Sequence, residues 1–301
     1  MKLFRNRETP NENIAFLAMM AALVAIVSLI AALLPLSSIA VMILVPLFAA
    51  SVSIFCKGRY IPIFLIGAFG LAMALSAWNF TNTIFYVLPS LVTGVAYGLF
   101  WKLKLPSSLS IFLTSIIGFL LFLLSLKLVE LFTGINMQSF LLAIIKKEDS
   151  PSAPLVFPLF CLAYSVAQIA IAHIFLSFEL SRLSVKENAD GSLQKFYPLI
   201  SIGFSILSLI CGFFSLKTAY LFLGFSLFWT VASCPIFLKG VHSITWVALG
   251  ISLFASLLLF AFALPRIEGY AGMLILLAPL ALIDGCVYLN LLLRRKKSNL
   301  A

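Results

Sequence analysis

Few residues in this chain carry charge or reactive groups. Charged residues make up 10% of its 301 residues, and it contains only two histidines. This leaves too little polar surface to cover a water-soluble globule of this size. The cysteines lie in or at the ends of apolar runs, without a C-x-x-C pair, so we interpret them as buried, inert thiols. They are Cys56, Cys161, Cys211, Cys234 and Cys286.

Catalytic motifs are absent as well. The sequence contains no G-x-S-x-G, no H-E-x-x-H and no Walker loop. Near the middle of the predicted spans it places one acidic residue, Asp284, so an intramembrane aspartyl protease would lack its second acid. We therefore expect a protein that is not an enzyme, that holds no cofactor and that binds no metal ion.

Long apolar runs dominate instead. The mean hydropathy is +1.16, and 63% of the residues are hydrophobic. A helix that crosses the bilayer needs about 20 mainly apolar residues, and the period-two alternation of a membrane barrel is missing. We predict an all-α fold, a polytopic transmembrane helical bundle of about ten spans. The predicted spans are residues 14–34, 37–56, 60–77, 82–100, 108–132, 154–178, 197–216, 218–238, 242–264 and 271–293.

The basic residues are unevenly divided between the two sides of this bundle. With the amino terminus in the cytoplasm, 15 of the 20 lysines and arginines are cytoplasmic, and the positive-inside rule then places both termini there. Attraction to anionic lipid headgroups explains the net charge of +10. The charge is split among short loops without interleaved aromatic residues, so we do not expect nucleic-acid binding. The 15 residues are Lys2, Arg5, Arg7, Lys57, Arg59, Lys102, Lys104, Arg182, Lys186, Lys195, Lys239, Arg294, Arg295, Lys296 and Lys297.

No connection is long enough to house a soluble domain. We predict a single integral membrane domain over residues 1–301, with five spans in 1–133, an outer amphipathic loop over 134–153 and five spans in 154–301. The loop carries apolar residues at helical spacing followed by charges, which indicates a helix lying at the membrane surface as a connector or as a lid. The apolar residues are Met137, Phe140, Leu141, Ile144 and Ile145.

Asp284 is the most informative polar residue, because it lies ten positions before Arg294. This spacing corresponds to roughly 15 Å along a helix, about half the thickness of the hydrocarbon core. A carboxylate at that depth costs about 2.5 to 3.5 kcal/mol on insertion scales, so it should face a partner or a wet cavity. It would serve in binding a proton, an ion or a substrate, or it would tie the last helix to a neighbour by hydrogen bonding.

Four further residues are candidates for substrate or ion binding. Gln168 and His173 lie five positions apart in the sixth span, where they would line a polar path or bond neighbouring helices. Asn79 and Asn82 lie in the polar turn between the third and fourth spans, before Pro89. This turn indicates a cavity that opens outward, and helix packing with an interfacial aromatic belt is the alternative interpretation.

Two sets of small residues predict close helix packing or docking of a partner. Gly94-x-x-x-Gly98 in the fourth span allows another helix to approach closely. Ala18, Ala22 and Ala25 give the first span a small-residue face, which suits docking against another helix of this chain or of a partner.

The amino-terminal part of the chain resembles a known class of transporter subunit. Ala18, Ala22 and Ala25, followed by hairpins closed by Lys57-Gly58-Arg59 and by Trp101-Lys102-Leu103-Lys104, resemble the membrane substrate-binding subunits of energy-coupling-factor vitamin transporters. In those subunits an alanine face on the first helix docks the shared transmembrane coupling protein. The resemblance implies a coupling membrane subunit and ATPases as partners in trans.

The whole chain resembles the YybS-like family of bacterial membrane proteins of unassigned activity. The segments that carry this likeness are Leu238-Lys239-Gly240-Val241-His242 and Leu282-Ile283-Asp284-Gly285, followed by Arg294-Arg295. The resemblance implies the bacterial cytoplasmic (inner) membrane, and it assigns no binding residues.

The function that we expect from the sequence is binding or transport of a small solute in the membrane. The chain would act as a substrate-capture subunit of a transporter with several components. The alternative is a scaffold that does not transport and that positions envelope or division proteins.

Overall fold

A computed structural model of the chain describes residues 7–34, 38–134, 136, 139, 153–182, 196–238, 245, 247–248, 251 and 269–298. These residues are mostly helical, and no strand occurs among them. In the described ranges the long helices are α1 (Pro10–Leu33), α2 (Ser38–Phe55), α3 (Ile61–Leu75), α4 (Ala77–Lys102), α5 (Ser107–Thr133), α6 (Ala153–Arg182), α7 (Tyr197–Gly212), α8 (Leu216–Leu238) and α9 (Gly269–Ser298).

Most of these helices are long and apolar enough to cross a membrane. Seven candidate spans lie in α1, α3, α4, α5, α6, α8 and α9, and α2 and α7 contain shorter apolar stretches. This confirms the all-α prediction for the described residues and indicates a multi-pass membrane protein. The predicted span 242–264 and the predicted outer loop 134–153 lie almost wholly outside the described residues. The count of ten spans therefore stays a prediction.

Local sequence signals account for where several helices begin and end. Thr9 Oγ1 accepts a hydrogen bond from Glu12 N (3.3 Å) while the Glu12 side chain reaches back to Thr9 N (3.4 Å), which forms a capping box. Pro10 follows in the first turn, where its missing N–H costs nothing. At the carboxyl end of α5, Gly134 adopts a left-handed φ of 70°, which terminates the helix.

The chain divides into two compact units. The first contains residues 1–137 and 164–189, and the second contains residues 138–163 and 190–301. The division therefore falls inside α6, whose residues from Tyr164 onward pack with the first five helices. The single domain with boundaries at 133 and 153 stays a prediction.

Within the first unit, α2 and α4 approach very closely. Gly94 and Gly98 of α4 are the reason, because a Cβ on Gly94 would overlap Pro46 O and a Cβ on Gly98 would lie 2.5 Å from Ala50 O. Real Cβ atoms essentially never come that near to backbone. The small side chains thus permit a backbone-to-backbone contact between these two helices.

Several basic residues meet at one end of the first unit. Lys57 Nζ donates to Glu8 O (2.7 Å), and Lys102 Nζ donates to Cys56 O (2.9 Å). These two bonds place the α2–α3 connection and the carboxyl end of α4 beside the start of α1. The bonded lysines are two of those that the charge distribution assigns to one side.

In the second unit, α7 and α8 form an antiparallel hairpin and α9 packs against both. The connection between the hairpin helices is residues 213–215. An apolar cluster of Ala219, Tyr220 and Leu223 from α8 and Leu277 from α9 holds one part of this group together. These three helices also bury polar side chains against one another, among them Asp284.

Candidate functional site

Asp284 lies at the centre of the apolar segment of α9. The segment is Ile275–Leu293, which leaves nine residues on each side of the carboxylate. The Asp284 side chain is fully buried, and its Oδ2 accepts a hydrogen bond from Thr230 Oγ1 of α8 over 2.9 Å. Its Oδ1 is also buried and has no hydrogen-bond partner in the described part of the chain. The carboxylate is thus only half satisfied.

Hydroxyl groups from α7 and α8 extend the site around Thr230. Ser201 Oγ lies 2.8 Å from Thr230 Oγ1 and 3.1 Å from Ser226 Oγ, and Ser205 Oγ lies 2.7 Å from Ser226 Oγ. All four of these side chains are buried. We call Asp284, Thr230, Ser201, Ser226 and Ser205 the carboxylate cluster.

The spacing of these residues explains why the hydroxyls meet. Ser201 and Ser205 are four positions apart on α7, and Ser226 and Thr230 are four positions apart on α8, so each pair occupies one helix face. Because the two helices are antiparallel, the faces can meet along their length. This shared four-residue spacing in two neighbouring spans is a signal in the sequence, and sequence reasoning missed it.

A second polar site lies in the first unit on α6. Gln168 Nε2 donates to Ser90 Oγ of α4 over 2.7 Å, while Gln168 Oε1 and the hydroxyl oxygen of Tyr164 are buried without a hydrogen-bond partner among the described residues. Tyr164 packs edge-on against Phe122 of α5 with the ring centroids 4.2 Å apart. Tyr164 and Gln168, four positions apart, form what we call the polar face of α6.

The backbone of α4 is irregular just before it reaches Ser90. Residues Thr83–Val87 form a π-helical turn, and Pro89 follows it. Such turns are often found at functional sites because they re-aim the side chains around them. Asn79 and Asn82, the predicted residues of the preceding turn, are partly exposed, and Asn79 Oδ1 accepts a hydrogen bond from Thr81 Oγ1 (3.2 Å).

His173 is engaged within the first unit. Tyr97 OH lies 2.5 Å from His173 Nδ1. The centroid of the Trp101 ring lies 6.1 Å from the centroid of the imidazole. Gln168 and His173 both bond to α4, at positions 90 and 97, two turns apart on that helix. This geometry agrees with the interpretation of His173 as an interhelical hydrogen-bond partner.

The predicted alanine face of α1 is divided by the fold. Ala18 and Ala22 are exposed, whereas Ala25 is buried with 3% of its surface accessible. Ala18 and Ala22 lie one helical turn apart and present a small-residue surface. Ala25 instead packs inside the first unit.

The candidate residues fall in different units. Gln168 and His173 belong to the first unit, and Asp284 belongs to the second. Among the described residues, no three histidine, cysteine, aspartate or glutamate side chains are grouped so that they would hold a metal ion. No protein-family model, curated protein or solved structure matches the chain. Support for a function therefore comes from these sites.

Proposed function

We propose that the protein binds or transports a small polar solute in the bacterial cytoplasmic membrane. The observation that carries this proposal is the polar face of α6, where Gln168 Oε1 and Tyr164 OH are buried with unused hydrogen-bonding capacity among the described residues. A buried polar group without a partner costs about 1 to 3 kcal/mol. A solute with polar groups of its own would remove this cost when it binds.

The position of Ser90 supports the same proposal. Ser90 bonds to one end of the Gln168 amide, so the amide is held in place whichever way it is turned. The other end stays available to a ligand. Groups that are held before a ligand arrives lose little freedom on binding, which favours affinity.

The exposed pair on α1 supports a role as a substrate-capture subunit. Ala18 and Ala22 offer the kind of small-residue surface on which a helix of a coupling membrane subunit would dock. ATPases acting through that subunit would supply the energy. The resemblance to substrate-binding subunits of energy-coupling-factor transporters motivates this part of the proposal.

The orientation that we propose places both termini in the cytoplasm. The bonds of Lys57 and Lys102 support this, because they gather basic residues at the end of the first unit where α1 begins. The positive-inside rule assigns such an end to the cytoplasm.

The test is purification of the full chain from bacterial membranes in a mild detergent, with mass spectrometry of the retained small molecules and the co-purifying proteins. We expect one stoichiometric polar metabolite in the wild type and at least a tenfold loss of it in Gln168→Leu. The matched control is Ala167→Leu, which alters the exposed neighbour on α6. Recovery of envelope or division proteins, without any retained metabolite, would favour the scaffold instead.

A further inference from the structure

We infer that the carboxylate cluster is a binding site for a monovalent alkali cation, with sodium as the ion to test. The inference deepens the proposed function, on which it rests only for its physiological purpose, since a cation bound within the membrane is a common means of energising solute movement. The site itself is defined by residues of the second unit alone. It can therefore be tested without knowing the solute.

The chemistry of the donors points to a hard cation. Three oxygens of the described residues lie within hydrogen-bonding distance of Thr230 Oγ1: Asp284 Oδ2, Ser201 Oγ and the backbone oxygen of Ser226. Carboxylate, hydroxyl and carbonyl oxygens are the ligands that hard cations prefer. The cluster carries a single carboxylate, so one positive charge neutralises it. In the described residues, no lysine or arginine forms an ion pair with Asp284.

When Asp284 is ionised, the hydrogens on Thr230 and Ser201 are fewer than the close oxygen–oxygen contacts that these two residues make. Thr230 has one hydrogen, but its Oγ1 lies 2.9 Å from Asp284 Oδ2, 2.8 Å from Ser201 Oγ and 3.1 Å from Ser226 O. Ser201 also has one hydrogen, and its Oγ lies 2.9 Å from the same carbonyl oxygen. Oxygen lone pairs therefore face one another across short distances. A cation among them would turn this repulsion into attraction.

A proton on Asp284 fits these contacts less well than a cation. On Oδ2 the added proton would donate to Thr230 Oγ1, and Oδ1 would stay buried without a donor; otherwise the proton would lie on Oδ1. That atom has no acceptor within bonding distance among the described residues, and a buried donor would be left without a partner. A cation needs no acceptor, because it is bound by the lone pairs themselves.

The experiment uses the full chain in lipid nanodiscs and measures thermal unfolding in sodium, potassium and choline chloride at equal ionic strength and pH. Retention of ²²Na⁺ is measured in parallel. We expect sodium at a hundred times its Kd to raise Tm by about 5 °C, with one ion retained per chain. Asp284→Asn should abolish both effects. Ser208→Ala, which removes a buried hydroxyl that donates to Ala219 O outside the cluster, should retain them.

Three outcomes would overturn the inference. They are equal Tm values in all three salts, a sodium effect that persists in Asp284→Asn, or stability that follows pH but not sodium, which would assign the site to a proton. If Asp284→Asn does not fold, Thr230→Val serves in its place and should raise the sodium Kd at least tenfold. Gln168→Leu should lose the solute but keep the sodium effect, so failure of the cation site and failure of solute binding are distinguishable.

Discussion

Thr230 Oγ1 donates to Asp284 Oδ2 over 2.9 Å, and this bond joins α8 to α9 between two buried side chains that are 54 positions apart. A hydrogen bond to a charged group contributes about 1.5 to 3 kcal/mol. It offsets part of the cost of holding a carboxylate at the middle of an apolar segment. The bond therefore has a structural role whether or not a ligand is bound.

Replacing Thr230 with valine tests that role. Thr230→Val keeps the branched shape but leaves Asp284 Oδ2 without its donor, so we expect the free energy of unfolding to fall by about 1 to 3 kcal/mol. Thr230→Ser retains the hydroxyl and should cost less. Unfolding in detergent, followed by circular dichroism, measures both. If Thr230→Val unfolded with the same free energy as the wild type, the hydrogen bond would make no net contribution to stability.

The bond between Tyr97 and His173 should also be measurable. Tyr97→Phe removes the hydroxyl that lies 2.5 Å from His173 Nδ1 while the ring contacts remain, so we expect a loss of about 0.5 to 1.5 kcal/mol in unfolding free energy. The control is Tyr288→Phe on the exposed side of α9, and it should leave stability unchanged. An unchanged stability in Tyr97→Phe would mean that the imidazole is satisfied by other groups.

The positions of the helices could be predicted from the sequence because bilayer thickness fixes the length of an apolar span. Nine of the ten predicted runs coincide with α1–α9. The start of α1 also has a local signal, because Thr9, Pro10 and Glu12 form a cap within four residues, but the predicted span began at residue 14 and did not use it. Apolar runs depend on neighbours along the chain, and that is why sequence reasoning reached them.

The contacts of the candidate sites could not be predicted in the same way. Gln168 meets Ser90 across 78 positions, and Thr230 meets Asp284 across 54. Such pairs depend on how the helices are arranged and rotated, which hydropathy does not specify. The residues in them that sequence reasoning singled out were the rare polar types, Gln168 and Asp284. Thr230, the hydroxyl partner of Asp284, was passed over because serine and threonine are common in membrane helices.

The alanine residues of α1 allow the docking surface to be separated from the core. Ala22→Leu enlarges an exposed residue, so we expect unchanged stability but loss of a co-purifying coupling subunit. Ala25→Leu enlarges a side chain that is 3% accessible, and overpacking should cost about 1 to 3 kcal/mol in unfolding free energy. Affinity purification and thermal unfolding of both variants provide the two readouts. Retention of the partner by Ala22→Leu would exclude this face as the docking surface.

The close approach of α2 to α4 yields the sharpest prediction about stability. A methyl group on Gly98 would lie 2.5 Å from Ala50 O and 2.7 Å from Ser53 Cβ, and the Ala50 backbone cannot move aside as a flexible side chain would. We expect Gly98→Ala to lower the free energy of unfolding by about 1 to 3 kcal/mol. Gly70→Ala on α3 is the matched control, because nothing lies within 4 Å of its Cβ position.

In this control the free energy of unfolding should not fall. Alanine is a better helix former than glycine by about 1 kcal/mol, so Gly70→Ala should leave stability unchanged or raise it slightly. The difference between the two variants therefore isolates the helix contact from helix propensity. Parallel denaturation of both variants in mixed micelles measures this difference. If Gly98→Ala proved as stable as Gly70→Ala, α2 and α4 would have to lie farther apart than this structure places them.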